Sequence, residues 1–411
     1  CGDTYDITEL VYGLTYYEDI TKGYVSANMR VIDAGQNIKS NLPIQGFEPV
    51  EITVNGPDEE QYEMKLYVYL ISDVSSTGGK QSYNLGLISK EGLLNEQIKI
   101  SKRYDGTPTT IVRNILKDSF DTEDIIADDT LNKTVVVPNN RSPFTVCSMI
   151  ADRSMTDGNT AGCFFFMNAN GFNFRSIDTL CDVAATGSGD GRIVKVFRDS
   201  MNANQTMDPS NIISVTFLSE VNLMEGLRLG AYSGELQLFN IDTGEVSTET
   251  FKVSDNWDNQ KHLGTQDQFS TAMEMAIDSP TRINSAIVSN ENFYSGKKAA
   301  KDDAEYKDWT GKILQQSFSR NYILNTQGLR IEVPGNLDVV VGDRVRVILQ
   351  NAVSENQREE EDIDTVNSGF YLVTKLSRFY NKTNYNVTTV LKLQRDTYGS
   401  EADNNNQVLL E

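Results

Sequence analysis

The sequence predicts an α+β chain dominated by antiparallel β-structure. Three observations carry that expectation. Residues 328–349, GLRIEVPGNLDVVVGDRVRVIL, alternate strictly around two turns. Leu329, Ile331 and Val333 share one face while Arg330 and Glu332 take the other; Val345, Val347 and Leu349 then oppose Arg344 and Arg346. A period of two, broken by turn residues, means half-buried antiparallel strands. Residues 368–380, SGFYLVTKLSRFY, continue the pattern. Six short β-branched and aromatic segments crowd residues 5–105, a spacing that suits a barrel or sandwich. Between these ends lie two segments with helix-start chemistry.

The elements follow in order. Strands are expected at 10–17, 24–32, 50–54, 62–72, 81–89 and 97–104, separated by turn formers such as Asn55, Gly56, Pro57 and Asp58, and by Gly78 and Gly79. Thr107 caps and Pro108 opens a helix with Ile111, Val112, Ile115, Leu116 and Phe120 on one face. An acidic stretch, 121–129, leads to a short strand at Val135, Val136 and Val137. Ser142 and Pro143 begin a second helix, expected to reach Met155. In 163–180 two strands meet at Asn168, Ala169, Asn170 and Gly171, a hairpin because Asn and Gly tolerate positive φ. Residues 183–192 read as a glycine-rich loop, and a weak strand falls within 193–207. Strands resume at 212–218, 227–232 and 235–240. Residues 245–308 are polar, expected as surface with some helix, with a lysine–acid run over 297–308. Trp309, Ile313, Leu314 and Phe318 then recur at helical spacing.

The chain has 411 residues, too many for one ordinary core, so two to four domains are expected. Its net charge is −21. No Lys/Arg-rich segment is present to displace counterions from phosphates, which argues against a surface that grips nucleic acid. The same charge argues against docking on anionic lipid. An acidic wall would let DNA slide past without sticking; simple solubility explains the acidity equally well. No apolar stretch approaches the roughly 20 residues that span a bilayer, and no signal peptide is visible. Cys1 fits a mature bacterial lipoprotein, and equally removal of an initiator Met or of a leader. Cys147, Cys163 and Cys181 are too far apart for a CxxC motif and read as buried thiols. A Cys163–Cys181 disulfide is the less simple alternative, since synthesis in a reducing cytosol leaves thiols free.

Chemistry finds little to stand on. His262 is the only histidine, so a Ser-His-Asp or Cys-His arrangement has to use it, yet it sits in a polar loop without a nucleophile elbow. One histidine excludes a histidine-rich metal site, and no calcium-loop pattern appears. Gly187, Ser188, Gly189, Asp190 and Gly191 lack the Lys-Ser/Thr of a P-loop. Paired carboxylates for glycoside hydrolysis remain open, because 58 acidic residues supply many pairs and single out none. The acidic run 359–364 reads as a solvated loop or as a projection toward a partner or channel. Neither a catalytic nor a metal nor a cofactor residue is assigned.

Four segments together resemble the central baseplate hub of T-even-type contractile phages: 80–118, with its capped helix; 141–180, with its helix and its hairpin ending in Phe174, Arg175, Ser176 and Ile177; 222–246; and the C-terminal set around Pro334, Gly335 and Asn336, then Val341, Gly342 and Asp343, then Gly369 and Tyr371. Residues 247–308 match poorly. The resemblance implies two tail-tube-type antiparallel β-barrel domains with inserted α/β domains. The first barrel is assigned to 1–106 and an inserted α/β domain to 107–207. The second barrel takes 208–246 and 318–396, interrupted by a helical, polar insertion at 247–317, and 397–411 form a polar tail. The structural residues of the barrel and turns are then Pro334, Gly335, Asn336, Val341, Gly342, Asp343, Val345, Val347, Gly369 and Tyr371. The resemblance further implies a non-enzymatic virion protein, made in the host cytoplasm and placed in the tail baseplate. Three copies would form a ring joining the six-fold tail tube to the three-fold spike, with wedge proteins and the tape measure as further partners. DNA would pass through the lumen without specific binding. The hub of a tailocin or a type VI secretion spike is a close alternative; a glycan hydrolase or a surface lipoprotein is an alternative of another class.

Overall fold

A computed structural model describes residues 4–33, 44–55, 61–156, 158, 160–182, 195–199, 208–218, 223–241, 244–264, 282–288, 310–351, 363–382 and 386–397. Cys1, the turn residues Gly56, Pro57 and Asp58, the loop 183–192, the run 297–308, Trp309, the acidic residues 359–362 and the tail beyond 397 lie outside the described residues. The fold is mainly β, with large antiparallel sheets.

The first strands are β1 (Val11–Asp19), β2 (Ser26–Asp33), β3 (Pro49–Asn55), β4 (Gln61–Thr77) and β5 (Lys80–Ile88). They pair antiparallel in the order β1-β2-β5-β4-β3. Leu14 and Tyr16 of β1, Ala27, Met29 and Val31 of β2, and Leu85 and Leu87 of β5 bury one face. The strand expected at 97–104 does not form. Ser89 caps α1 (Lys90–Gln97) by accepting the Gly92 N–H, and the chain then makes only a bridge from Ile100 to Arg141 before β6 (Tyr104–Gly106).

The α/β part follows. Thr107 accepts the Thr110 N–H and caps α2 (Pro108–Phe120), whose Ile111, Val112, Ile115 and Leu116 are fully buried. After β7 (Ile125–Ala127) and β8 (Thr134–Val136) comes α3 (Pro143–Ala151). It stops short of Met155, because Arg153 and Ser154 turn back onto the carbonyls of Ile150 and Ala151. β9 (Cys163–Asn168) and β10 (Gly171–Ser176) form the expected hairpin; of its turn residues only Gly171 has positive φ, at 110°. The sheet β7-β10-β9 packs its Phe165, Phe172 and Phe174 against Phe144 and the buried face of α2. Ser176 then caps α4 (Ile177–Cys181). Cys147, Cys163 and Cys181 are free and buried.

The C-terminal half contains β11 (Lys195–Asp199), β12 (Asn211–Ile212), β13 (Ser214–Phe217), α5 (Leu223–Leu229), β14 (Ser233–Asn240), β15 (Val246–Lys252), β16 (Ile283–Val288), α6 (Thr310–Ile323), β17 (Gln327–Pro334), β18 (Arg344–Ile348), β19 (Gly369–Asn381) and β20 (Asn386–Arg395). Residues 227–232, expected as strand, end a helix instead. Gly230, at φ 73°, takes the left-handed position, and the N–H groups of Gly230 and Ala231 return to the carbonyls of Leu227 and Gly226. The 245–308 stretch, expected as surface with some helix, contributes among its described residues one short 3-10 helix (Trp257–Asn259) and also β15 and β16, which flank β14 in a separate three-stranded sheet. Val246, Thr248 and Thr250 supply the β-branched residues that favour strand there.

The remaining pairings make a circuit. β18 pairs with β19, β19 with β20, β20 with β17 and β17 with β13. β12 pairs with β11 and β11 with β18, both parallel. Ile213, between β12 and β13, donates its N–H to the Glu332 carbonyl at 2.7 Å. β19 also pairs with β1 through residues 375–381, so both ends of the chain share one twelve-stranded sheet and one hydrophobic core. Arg344, expected on a solvent face, is 1% exposed. Burial pushes the Cys181 thiol of α4 up, and the Arg344 charge pulls against that.

Candidate functional site: a polar joint between the sheet halves

The turn residues singled out in the sequence gather at one place. Gly335, at φ 45°, donates its N–H to the Val387 carbonyl at 2.7 Å. The Asn336 side chain accepts the N–H groups of Asp338 and Val339, each at 3.2 Å, which winds the loop after β17. Arg378, on β19, is 4% exposed and fills that loop from beneath. It donates to the carbonyls of Asn336 (3.2 Å), Leu337 (2.8 Å) and Val339 (2.5 Å) and lies 5.9 Å from the Tyr16 ring centroid.

Glu18 closes the joint. It extends the inward phase of β1 after Leu14 and Tyr16, where an apolar residue is expected, and is 2% exposed. It accepts the N–H groups of Val341 and Ala169, both at 2.8 Å, and the Tyr16 hydroxyl at 2.9 Å. Asn168 donates from its side chain to the Val341 carbonyl at 2.9 Å. One carboxylate therefore ties the first strand, the β9–β10 hairpin and the loop before β18. Burial raises its pKa above the usual carboxylate range, against the opposing pull of Arg378 and the Val341, Tyr16 and Ala169 hydrogen bonds.

Gly342 and Asp343 complete the turn. Gly342 has φ 95°, and a Cβ there would lie 2.8 Å from the Phe166 ring. Asp343 accepts the Val340 N–H at 2.9 Å. Val345, Val347 and Tyr371 are fully buried. Gly369, at φ 133°, stands opposite Val347. The Tyr371 hydroxyl donates to the Asn367 carbonyl at 2.7 Å, and Arg395 lies 4.6 Å from its ring centroid. Pro334 ends β17 opposite Thr388. Asp364, the described end of the acidic run with Ile363, accepts the N–H groups of Val366 and Asn367 and so shapes the turn into β19. A cavity of about 490 Å³, lined among others by Tyr16, Tyr62, Met64, Asn168 and Arg378, opens beside the joint.

A second buried cluster clasps α6. Arg320 is 2% exposed; it donates to Asp396 (3.1 Å), Asp178 (2.8 Å) and the Lys261 carbonyl (2.7 Å). Asp396 also accepts the Leu263 N–H at 3.1 Å and faces His262 Nδ1 at 2.6 Å. Burial by itself would raise the Asp396 carboxyl. The His262 hydrogen bond and the Arg320 charge outweigh it and hold the pKa below the ordinary value. His262 Nε2 faces the Trp257 carbonyl at 3.1 Å and the ring stacks on Trp257 at 3.8 Å. Both ring nitrogens of the chain's one histidine are thus committed to structural partners, leaving neither to serve a nucleophile. Among the described residues no group of three or more His, Cys, Asp or Glu side chains is placed to hold a metal ion, and no helix is long and apolar enough to cross a membrane.

Comparisons with known proteins bear on the fold. No protein-family model matches the sequence, and no curated protein matches it. Among solved structures, the tail protein from Neisseria meningitidis MC58 superposes with a TM-score of 0.53 over 94% of this chain and 93% of its own, at 11% identity. The chain has the fold of that tail protein. The 43 kDa tail protein of prophage MuSo2 from Shewanella oneidensis gives 0.48 at 10% identity, covering 94% of each chain. The E. coli c3393 protein, a component of the type VI secretion system, gives 0.47 at 10% identity, covering 95% of this chain and 74% of that one.

Proposed function

We propose that this chain is a structural hub protein of a contractile phage tail baseplate. Three copies form a ring between the six-fold tail tube and the three-fold spike, and the lumen of that ring lies on the DNA path. The observation that carries this reading is the fold shared with a tail protein along nearly the whole of both chains. The interior agrees with it. Four buried charged groups, Glu18, Arg378, Arg320 and Asp396, are each hydrogen-bonded between separate elements of the fold. The two tube-type barrels correspond, on this reading, to the β1–β5 sheet and to the β11–β13, β17–β20 circuit.

Native mass spectrometry and negative-stain imaging of the purified chain, alone and with its cognate spike chain, test the proposal. A ring of three copies with an open centre is the expected result. A monomer in both samples overturns it and returns attention to glycan hydrolysis.

A further inference from the structure

The face of the sheet opposite the core carries a charge pattern that the fold does not need. On three neighbouring strands Arg330 stands opposite Lys392, and Lys392 opposite Lys375. Adjacent strands are about 4.8 Å apart, and like charges directly opposite one another destabilise a sheet. Lys375 is relieved by Asp19 at 2.7 Å. Arg330 and Lys392 have no ion pair among the described residues. Lys22, also exposed, lies 5.5 Å from the Tyr24 ring centroid. All four cations line one groove of about 490 Å³. Its carboxylates are Asp19, already paired, and Glu18, turned to the joint beneath. The rims are Tyr17, Tyr69 and Leu218. In a chain of net charge −21, four cations in one groove are a local reversal of sign.

We infer that this face is a sequence-independent contact for the phosphate backbone of nucleic acid. Phosphates neutralise the Arg330–Lys392–Lys375 row, and the tyrosines at its edge offer apolar surface to sugars and bases. The choice of phosphate over an acidic protein surface rests on the hub reading, in which DNA crosses the ring. The overall acidity opposes the contact only where it is felt. At ~0.15 M salt the Debye length is about 8 Å, so the groove acts nearly alone; at ~0.01 M it is about 30 Å and the whole acidic surface repels. Binding is therefore weak, and strongest at intermediate salt.

The test uses the full chain and a labelled random-sequence duplex, followed by fluorescence anisotropy across salt. Binding at ~0.1 M salt, fading at higher salt, is expected. Arg330→Gln with Lys392→Gln lowers the limiting salt slope by about 2, one per phosphate-contacting cation, and raises the melting temperature by removing repulsion. Lys65→Gln with Lys117→Gln, which removes cations elsewhere, leaves binding unchanged. Absent binding, or equal loss in both double variants, overturns the inference. If the groove variant instead dissolves the oligomer by native mass, the face meets a neighbouring copy and the phosphate assignment is wrong. A ring that fails to bind the duplex sinks this inference alone; groove-dependent binding by a monomer sinks the hub reading alone.

Discussion

Asp396→Asn tests whether the buried clasp holds α6 to the rest of the chain. The wild-type carboxylate is fully buried and meets the Arg320 guanidinium at 3.1 Å, His262 Nδ1 at 2.6 Å and the Leu263 N–H. The amide keeps the shape and removes the charge. Breaking a buried ion pair costs about 3–5 kcal/mol because the other charge is stranded. Arg320 keeps Asp178 at 2.8 Å, so the low end, about 3 kcal/mol, applies. At about 2 °C per kcal/mol for a large chain, the melting transition drops by about 6 °C. The pH dependence adds a second signature. Asp396 titrates below its unfolded value, so its contribution is present above about pH 3.9 and is lost as pH falls through the lower folded value. Calorimetry of both proteins from neutral pH into that acid range should show the gap between them narrowing as pH falls. An Asp396→Asn protein melting within about 1 °C of wild type at neutral pH would refute the reasoning, since a relaxed, hydrated cluster loses little with the charge.

Three further outcomes follow from the same packing. Val347→Asp puts an unpaired carboxylate into a fully buried site on β18 and should abolish the folded chain in native mass spectra; a normally assembling variant contradicts the assignment of that face. Gly342→Ala forces a Cβ against Phe166 at φ 95° and should cost about 1–3 kcal/mol in chemical denaturation, whereas an unchanged midpoint means that the turn does not dock on the hairpin. Glu18→Gln should change the pH profile in the direction opposite to Asp396. The folded pKa of Glu18 is raised, so its stability contribution is complete below about pH 4.3 and is lost as pH rises towards the folded value. Thermal melts over that interval should show the wild type declining and the Gln variant flat; parallel profiles would show Glu18 to be hydrated.

The strands and helix starts were legible because they are local. Thr107 with Pro108 announced α2, and the alternation around Val345 and Val347 announced β18. The misreadings are local too. Leu227 and Leu229 looked like strand until Gly226 and Gly230 are seen to close a helix. The β-branched residues of β15 were masked by its charged and polar neighbours. The joint was only half legible. Pro334, Gly335, Asn336, Gly342 and Asp343 stand out as turn chemistry, but Glu18 and Arg378 are single polar residues in strands far apart in sequence. Their one signal is phase: each falls on the buried side of an alternating strand, and only the three-dimensional partners show why it is tolerated there.

β19 explains why such a joint is worth its buried charges. Along one edge its first residues pair with β18 and its later residues pair with β1, while β20 follows along the other edge. A register shift between Val373 and Lys375 against β20 marks the change of partner. The backbone ladder between the two halves therefore runs through one strand. Between the end of β18's pairing and the start of β1's lies a short break, and the Ile20 N–H reaches the Thr374 carbonyl there at 2.9 Å. There the turn bonds to Val373, with the Gly342 N–H reaching the Val373 carbonyl at 3.0 Å and the Val373 N–H reaching the Asp343 carbonyl at 2.9 Å. Beside that gap Glu18 holds Val341, and on the same strand Arg378 holds Asn336, Leu337 and Val339. Hydrophobic contacts alone are non-directional and would let the loop slide over the sheet. Hydrogen bonds to a buried carboxylate and guanidinium fix its register, because any displacement strands a charge.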